Sequence, residues 1–184
     1  MALARLAFRF LLVLLILLAV IGLALPSSVR VEREIVIQAP VEQVFPHVNS
    51  MRRFHAWSPW TATDPSTTYV FEGPEEGVGS RLRWFNVDES VGAGSQEITL
   101  SRHNAEVQIS MIFGDQGSGT ATFLLEDEDN ETRVRWQFIT DFGWDLFGRY
   151  VGLMLDSMIG GAYQRGLRTL KQQLEETPSP TPSA

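Results

Sequence analysis

The sequence predicts an α+β protein: a seven-stranded antiparallel curved sheet wrapped on a long C-terminal helix. Two short helices follow the first strand, and one transmembrane helix precedes the domain. Three observations carry this reading. From Val29 to Phe142 the chain runs mostly in segments of period-two hydrophobic alternation, separated by turn-forming pieces. After Phe142 the apolar spacing switches to three and four, the period of a helix. Ahead of both, Phe10 to Leu25 is apolar apart from Gly22.

The N-terminal segment MALARLAFRFLLVLLILLAVIGLALPSS carries Arg5 and Arg9, then no charge from Phe10 to Val29. A 20-residue helix spans roughly 30 Å, the hydrocarbon thickness of a bilayer. A domain this small has no core able to wrap such a helix, so residues 1–28 read as a transmembrane anchor. A secretory signal competes, because Gly22-Leu23-Ala24 offers a small-x-small cleavage site. The apolar run exceeds the usual signal core of about 7–15 residues, which favours the uncleaved anchor. With Arg5 and Arg9 held in the cytoplasm, the protein is expected to be single-pass. Its N-terminus is then cytoplasmic and its domain extracytoplasmic; cleavage would instead give a secreted protein.

VRVEREIVIQAP reads as the first strand, ended by Pro40. APVEQVF is a short helix with proline at its start, and NSMRRFHAW a second, capped by Asn49 or Ser50. Six period-two segments follow: TTYVFEG, SRLRWFNV, SQEITLSR, AEVQISMIF, GTATFLLED and TRVRWQFITDF. The pieces between them are rich in glycine, asparagine and acidic residues, so the strands form an antiparallel meander. The apolar series from Val151 to Leu174 predicts a helix from about Leu146 to Glu175. An apolar sheet face needs a cover, and this helix is the element long enough to supply it. TPSPTPSA, residues 177–184, is expected to be a disordered tail, leaving residues 29–176 as the folded domain.

Composition excludes several functions. The chain holds 15 basic and 22 acidic residues, a net charge of −7, and no basic stripe, so nucleic acid is not an expected partner. It has no cysteine, which removes disulfides, thiolate metal sites and a cysteine nucleophile. His47, His55 and His103 are scattered without HxH or HxxxH spacing, so no metal or other cofactor is expected. The run Glu126-Asp127-Glu128-Asp129 lacks the glycine and spaced glutamate of a calcium loop and reads as a solvated turn.

The stretch RFHAWSPWTATDP holds His55 and Asp64, an apparent acid/base pair. Nothing in the spacing fixes their separation, and each has a structural reading: Asp64-Pro65 opens a turn, and His55 ends a helix whose dipole favours a cation. Asp141 and Asp145 flank the start of the long helix, where Asp145 is placed to cap it. Arg149 and Asp156, within the helix, are expected to face water. The helix also holds Gly152, Gly160, Gly161 and Gly166, each costing about 1 kcal/mol against alanine. Glycine on the sheet side leaves room either for close packing or for a ligand.

Several local words, in order, are similar to those of the SRPBCC superfamily, the START and pollen-allergen helix-grip fold. The nearest likeness is to its polyketide cyclase/dehydrase branch. They are VIQAP (36–40) with VEQVF (41–45), FHAWSPW (54–60), GVGS (77–80) with Trp84, GAGS (92–95), and MIG (158–160) with GLRTLK (166–171). The resemblance implies a deep cavity between sheet and helix that takes lipids, sterols, polyketides or other apolar molecules. Strand parity and flexible methionines then nominate ligand-binding residues: Trp57, Trp60, Phe71, Trp84, Met111, Phe123, Trp136, Phe138, Met154 and Met158.

The expected function is therefore a membrane-anchored domain that binds a hydrophobic small molecule or lipid without catalysis. One alternative is a cyclase or dehydratase with His55, Asp64 or Asp141 as acid/base at the cavity mouth. The other is a protein-interaction module at the membrane surface.

Overall fold

The computed structural model describes residues 2–61, 66–86, 92–114 and 117–176. Helix α1 (Ala2–Ala24) leads through three residues into β1 (Ser28–Ile37), followed by α2 (Val41–Val48) and α3 (Met51–Trp57). The meander β2 (Thr68–Glu72), β3 (Arg81–Phe85), β4 (Ala93–Arg102), β5 (Glu106–Ile112), β6 (Ser118–Glu128) and β7 (Glu131–Asp141) comes next. Helix α4 (Leu146–Glu176) completes the fold. The six meander strands stand where the alternation put them. The acidic run, however, is mostly strand: Glu126, Asp127 and Glu128 end β6, and only Asp129, with Asn130, makes the turn. The tail 177–184 lies outside the described residues.

The strands form one antiparallel sheet in the order β1-β7-β6-β5-β4-β3-β2, so β1 leaves the sequential order to pair with the last strand. Ser28 of β1 faces Asp141 of β7, and Ile37 faces Thr132. A bulge between Ile98 and Leu100 breaks the β4–β5 register, a feature that bends and twists a strand. The sheet's inner face follows strand parity: Val134, Trp136 and Phe138 are buried, while Arg133, Arg135 and Gln137 alternate with them.

Short helices α2 and α3 plug one side of the grip. Val41, Val44, Phe45 and Val48 of α2, and Met51, Phe54 and Trp57 of α3, point inward. Each fully buried large ring contributes roughly 4–6 kcal/mol of gross burial. Trp57 gives up no hydrogen bond in going inside, since its indole Nε1 donates to the His47 carbonyl at 3.1 Å.

Helix α4 lies along β1 and is fastened there. Arg33 of β1 donates to both carboxylate oxygens of Asp156 at 2.8 and 3.0 Å. Lys171 donates to the Val36 carbonyl at 2.8 Å, and the Gln38 amide to Glu175 at 2.7 Å. Of the five glycines in α4, four serve close approach; a Cβ on Gly148 would meet Phe142 and Asp145. A Cβ on Gly152 would meet Val29 and Phe142, one on Gly160 the Arg33 guanidinium, and one on Gly166 Pro59 and the Trp136 ring. Asp156 faces water as expected, though paired, whereas Arg149 is half-buried. Asp156 pairs with Arg33, and Arg149 closes the end of α1, donating to the carbonyls of Gly22, Leu23 and Leu25 at 3.3, 3.1 and 3.1 Å.

Candidate ligand cavity

Between the open half of the sheet and α4 lies a cavity of about 470 Å³, within the usual size range of small-molecule sites. The sheet supplies Tyr69, Leu82, Trp84, Gln96, Met111 and Phe138, with Phe113 just past β5. The α3 side supplies Phe54 and His55, then Ser58, Trp60 and Thr61 from the following loop. Helix α4 supplies Leu155, Ile159 and Tyr163.

The back wall is an aromatic stack. Tyr163 lies flat on Trp136 with ring centroids 3.9 Å apart, and Trp136 stacks on Phe123 at 5.0 Å. Trp57 and Trp60 meet Trp136 edge-on at 5.5 and 5.9 Å. Burial holds the Tyr163 hydroxyl far above its ordinary pKa, so it stays neutral. Trp84 is set by Gly94, its cross-strand partner. Any Cβ at that position would collide with the Trp84 ring and the Ile112 carbonyl. Gly94 is thus a strand residue beneath an indole, while Gly92, just ahead of β4, has a positive φ of 62°.

Besides the hydroxyls of Ser58, Thr61 and Thr67, two larger polar side chains, Gln96 and His55, break this apolar lining. Gln96 is 8% exposed, and its Oε1 has no hydrogen-bond partner. His55 packs its ring on Tyr69 at 4.3 Å, and its Nδ1 lies 3.2 Å from the Thr61 hydroxyl, which also donates to the His55 carbonyl. Burial lowers the His55 pKa. The imidazole is therefore held neutral, not kept as the helix-end cation that its position at the end of α3 favoured.

A family model described as polyketide cyclase / dehydrase and lipid transport matches residues 28–175. The chain belongs to that family. No curated protein matches it. Among solved structures, the family member superposes on norcoclaurine synthase from Thalictrum flavum in complex with dopamine and hydroxybenzaldehyde. The TM-score is 0.60 at 14% identity, over 83% of this chain and 89% of that one. Protein Ms6760 from Mycobacterium smegmatis gives 0.55 at 16% identity, over 82% and 93%. The Aha1 dimer from Colwellia psychrerythraea gives 0.53 at 20% identity, over 82% and 99%. At these identities the likeness is one of fold: the Bet v 1-like helix grip of the SRPBCC superfamily.

The ten nominated ligand-binding residues separate into four groups in this family member. Trp60, Trp84, Met111 and Phe138 line the cavity. Trp57, Phe123 and Trp136 stand one layer back, fully buried in the stack. Phe71 borders a shallower cleft of about 290 Å³ with Arg52, Glu72 and Ser80. Met154 and Met158 are each 62% exposed on the outside of α4. The helix contributes Leu155 and Ile159 instead, one position on, because each step turns about 100° around the axis. Gln96 carried a usable signal: it shares strand parity with buried Ile98. Among the acid/base candidates, Asp141 is exposed and accepts from the Gly143 amide at 2.8 Å. Asp64 lies outside the described residues. Asp145 caps α4, accepting from the Gly148 amide at 3.0 Å.

Proposed function

We propose that this protein is anchored in a membrane by α1 and binds, in the cavity between sheet and α4, an apolar small molecule or lipid carrying one hydrogen-bond donor. The observation that carries this is Gln96, which lines this aromatic and aliphatic cavity of about 470 Å³ and whose buried Oε1 has no hydrogen-bond partner. A buried acceptor without a partner costs roughly 1–3 kcal/mol, and a ligand hydroxyl on it recovers that cost. Helix α1 is long and apolar enough to cross a membrane and almost wholly uncovered by the domain, which supports the anchor.

The test compares 2-naphthol with naphthalene by quenching of intrinsic tryptophan fluorescence. Both are expected to bind, the naphthol more tightly. Gln96→Leu should weaken the naphthol by a few-fold to about tenfold, the worth of one hydrogen bond, and leave naphthalene unchanged or tighter. No quenching by either ligand, together with no lipid extractable from the purified protein, would sink the binding reading.

A second reading has one observation in its favour: His55 lines the cavity with a lowered pKa, as a neutral base would. On that reading the family member is a cyclase or dehydratase, and His55→Gln abolishes turnover of a bound polyketide-like carbonyl substrate while its affinity persists. Unchanged turnover in that variant would remove it.

A further inference from the structure

Helix α1 and part of the cavity wall stand at the same end of the molecule. The register brings Ser28 beside Asp141, Thr120 beside Ile139, Ser95 beside Ile112, and Phe85 beside Ala93. The start of β1 is therefore level with the ends of β3, β5 and β7. Trp84 and Phe113, which line the cavity, sit at those ends.

The join between α1 and the domain is fixed. Arg149 holds the last carbonyls of α1, groups a helix leaves without internal partners. The Tyr150 hydroxyl donates to the Leu18 carbonyl at 2.6 Å, and the Gly22 backbone admits Leu146 and the Tyr150 ring close against it. Lengths then set the depth. The 23 residues of α1 make a helix of about 35 Å, against roughly 30 Å of hydrocarbon. Leu18 lies six residues before the end of α1, or about 9 Å, which is more than the length to spare. A helix spanning the bilayer therefore draws the first turns of α4 down to the boundary between headgroups and acyl chains.

The surface at that boundary carries large exposed apolar side chains alongside the exposed Asp141 and Asp145. Trp144 is 84% exposed and Phe147 77%, and Ile112 and Phe85 are exposed at the neighbouring strand ends. On α4, Phe147, Met154 and Met158 stand seven and four residues apart, so they form one exposed stripe. One position along from the methionines are Leu155 and Ile159, which line the cavity. Phe147, Met154 and Met158 thus carry an exposed apolar stripe from the end of α1 along the helix whose Leu155 and Ile159 line the cavity.

We infer that this rim rests on the bilayer that α1 spans, so that the cavity opens onto lipid and its ligand enters from the membrane. The inference rests on the anchor proposed above. The occupant is a lipid surface because the Arg149 and Tyr150 contacts already hold the rim against it. A net charge of −7 makes the contact apolar rather than electrostatic, so zwitterionic lipid suffices.

The chain has no cysteine, so single spin labels can be placed cleanly on the full chain in phosphatidylcholine vesicles. Labels at Phe147→Cys and Ile112→Cys are read for relative accessibility to oxygen and to a water-soluble nickel chelate. Leu14→Cys in α1 and Asp127→Cys, at the opposite end of the sheet, serve as references. Both rim labels are expected to shift to the oxygen-favouring, lipid side, with Leu14 in the bilayer and Asp127 in water. Rim labels as exposed to the chelate as Asp127, with Leu14 still in lipid, overturn the inference and leave the anchor standing. A Leu14 label in water overturns the anchor and this inference with it.

Discussion

His55 and Gln96 are the residues through which the cavity meets pH and polarity. Burial lowers the pKa of His55 and, with the Arg53 charge adding to it, that of His47, from the ordinary 6.5. A histidine whose folded pKa lies below its unfolded one binds fewer protons when folded. Its neutral form supports the fold at and above about pH 6.5, and that support is lost as pH falls from there through the lowered values. The thermal midpoint should therefore drop between about pH 7 and about pH 5, and the double variant His47→Gln/His55→Gln should show a shallower drop. An equal slope in both proteins would exclude these groups. His55 was visible in the sequence as a candidate, but its neutral state follows from packing on Tyr69, a neighbour fourteen positions away. Gln96 was legible only through strand parity, since nothing local marks a glutamine as lacking a partner.

At the scale of elements, the glycines of α4 divide into spacers and liabilities. A Cβ on Gly161 would meet only the end of the flexible Arg165 side chain, at 3.7 Å, whereas one on Gly166 would press on Pro59 at 2.9 Å and on the Trp136 ring at 3.1 Å. Gly161→Ala should accordingly stabilise the domain by up to about 1 kcal/mol, the helix-propensity gain. Gly166→Ala should destabilise it by roughly 1–3 kcal/mol, overpacking outweighing the same gain. Urea unfolding of both variants measures the two signs directly. The strands and α4 were legible because alternation and a three-to-four period are strong local signals. The faces of α4 were not. A 31-residue helix that touches α1, β1 and a cavity has apolar residues on several sides, and periodicity does not say which side meets which neighbour. Hence Met154 and Met158 fell on the outside while Leu155 and Ile159 took the cavity.

For the whole molecule, the decisive contact is one that no sequence pattern announced: Arg149 reaching across to the last turn of α1. An arginine two residues beyond a surface-exposed phenylalanine reads as solvated, and only the tertiary placement of α1 reveals its partners. Removing it should loosen the anchor from the domain without unfolding either. Distance distributions between spin labels at Leu6 and Asp127 in the Arg149→Ala protein should be broader than in the parent, with the thermal midpoint nearly unchanged. An equally narrow distribution would show that Tyr150 and the Gly22 contact hold the joint alone.

Between Ala24 and Ser28 stand Leu25, Pro26 and Ser27, and the Ser27 carbonyl is already bound by the Phe142 amide at 2.7 Å. Fully stretched, three residues reach about 10 Å. A carrier that ferries cargo between two membranes needs a tether long enough to cross the gap, and this one has none. With α1 spanning a bilayer as proposed, a domain mounted so closely can reach only the leaflet it stands on. On the same proposal, a ligand drawn from that leaflet must be returned there, altered in place, or collected by a second protein that comes to it.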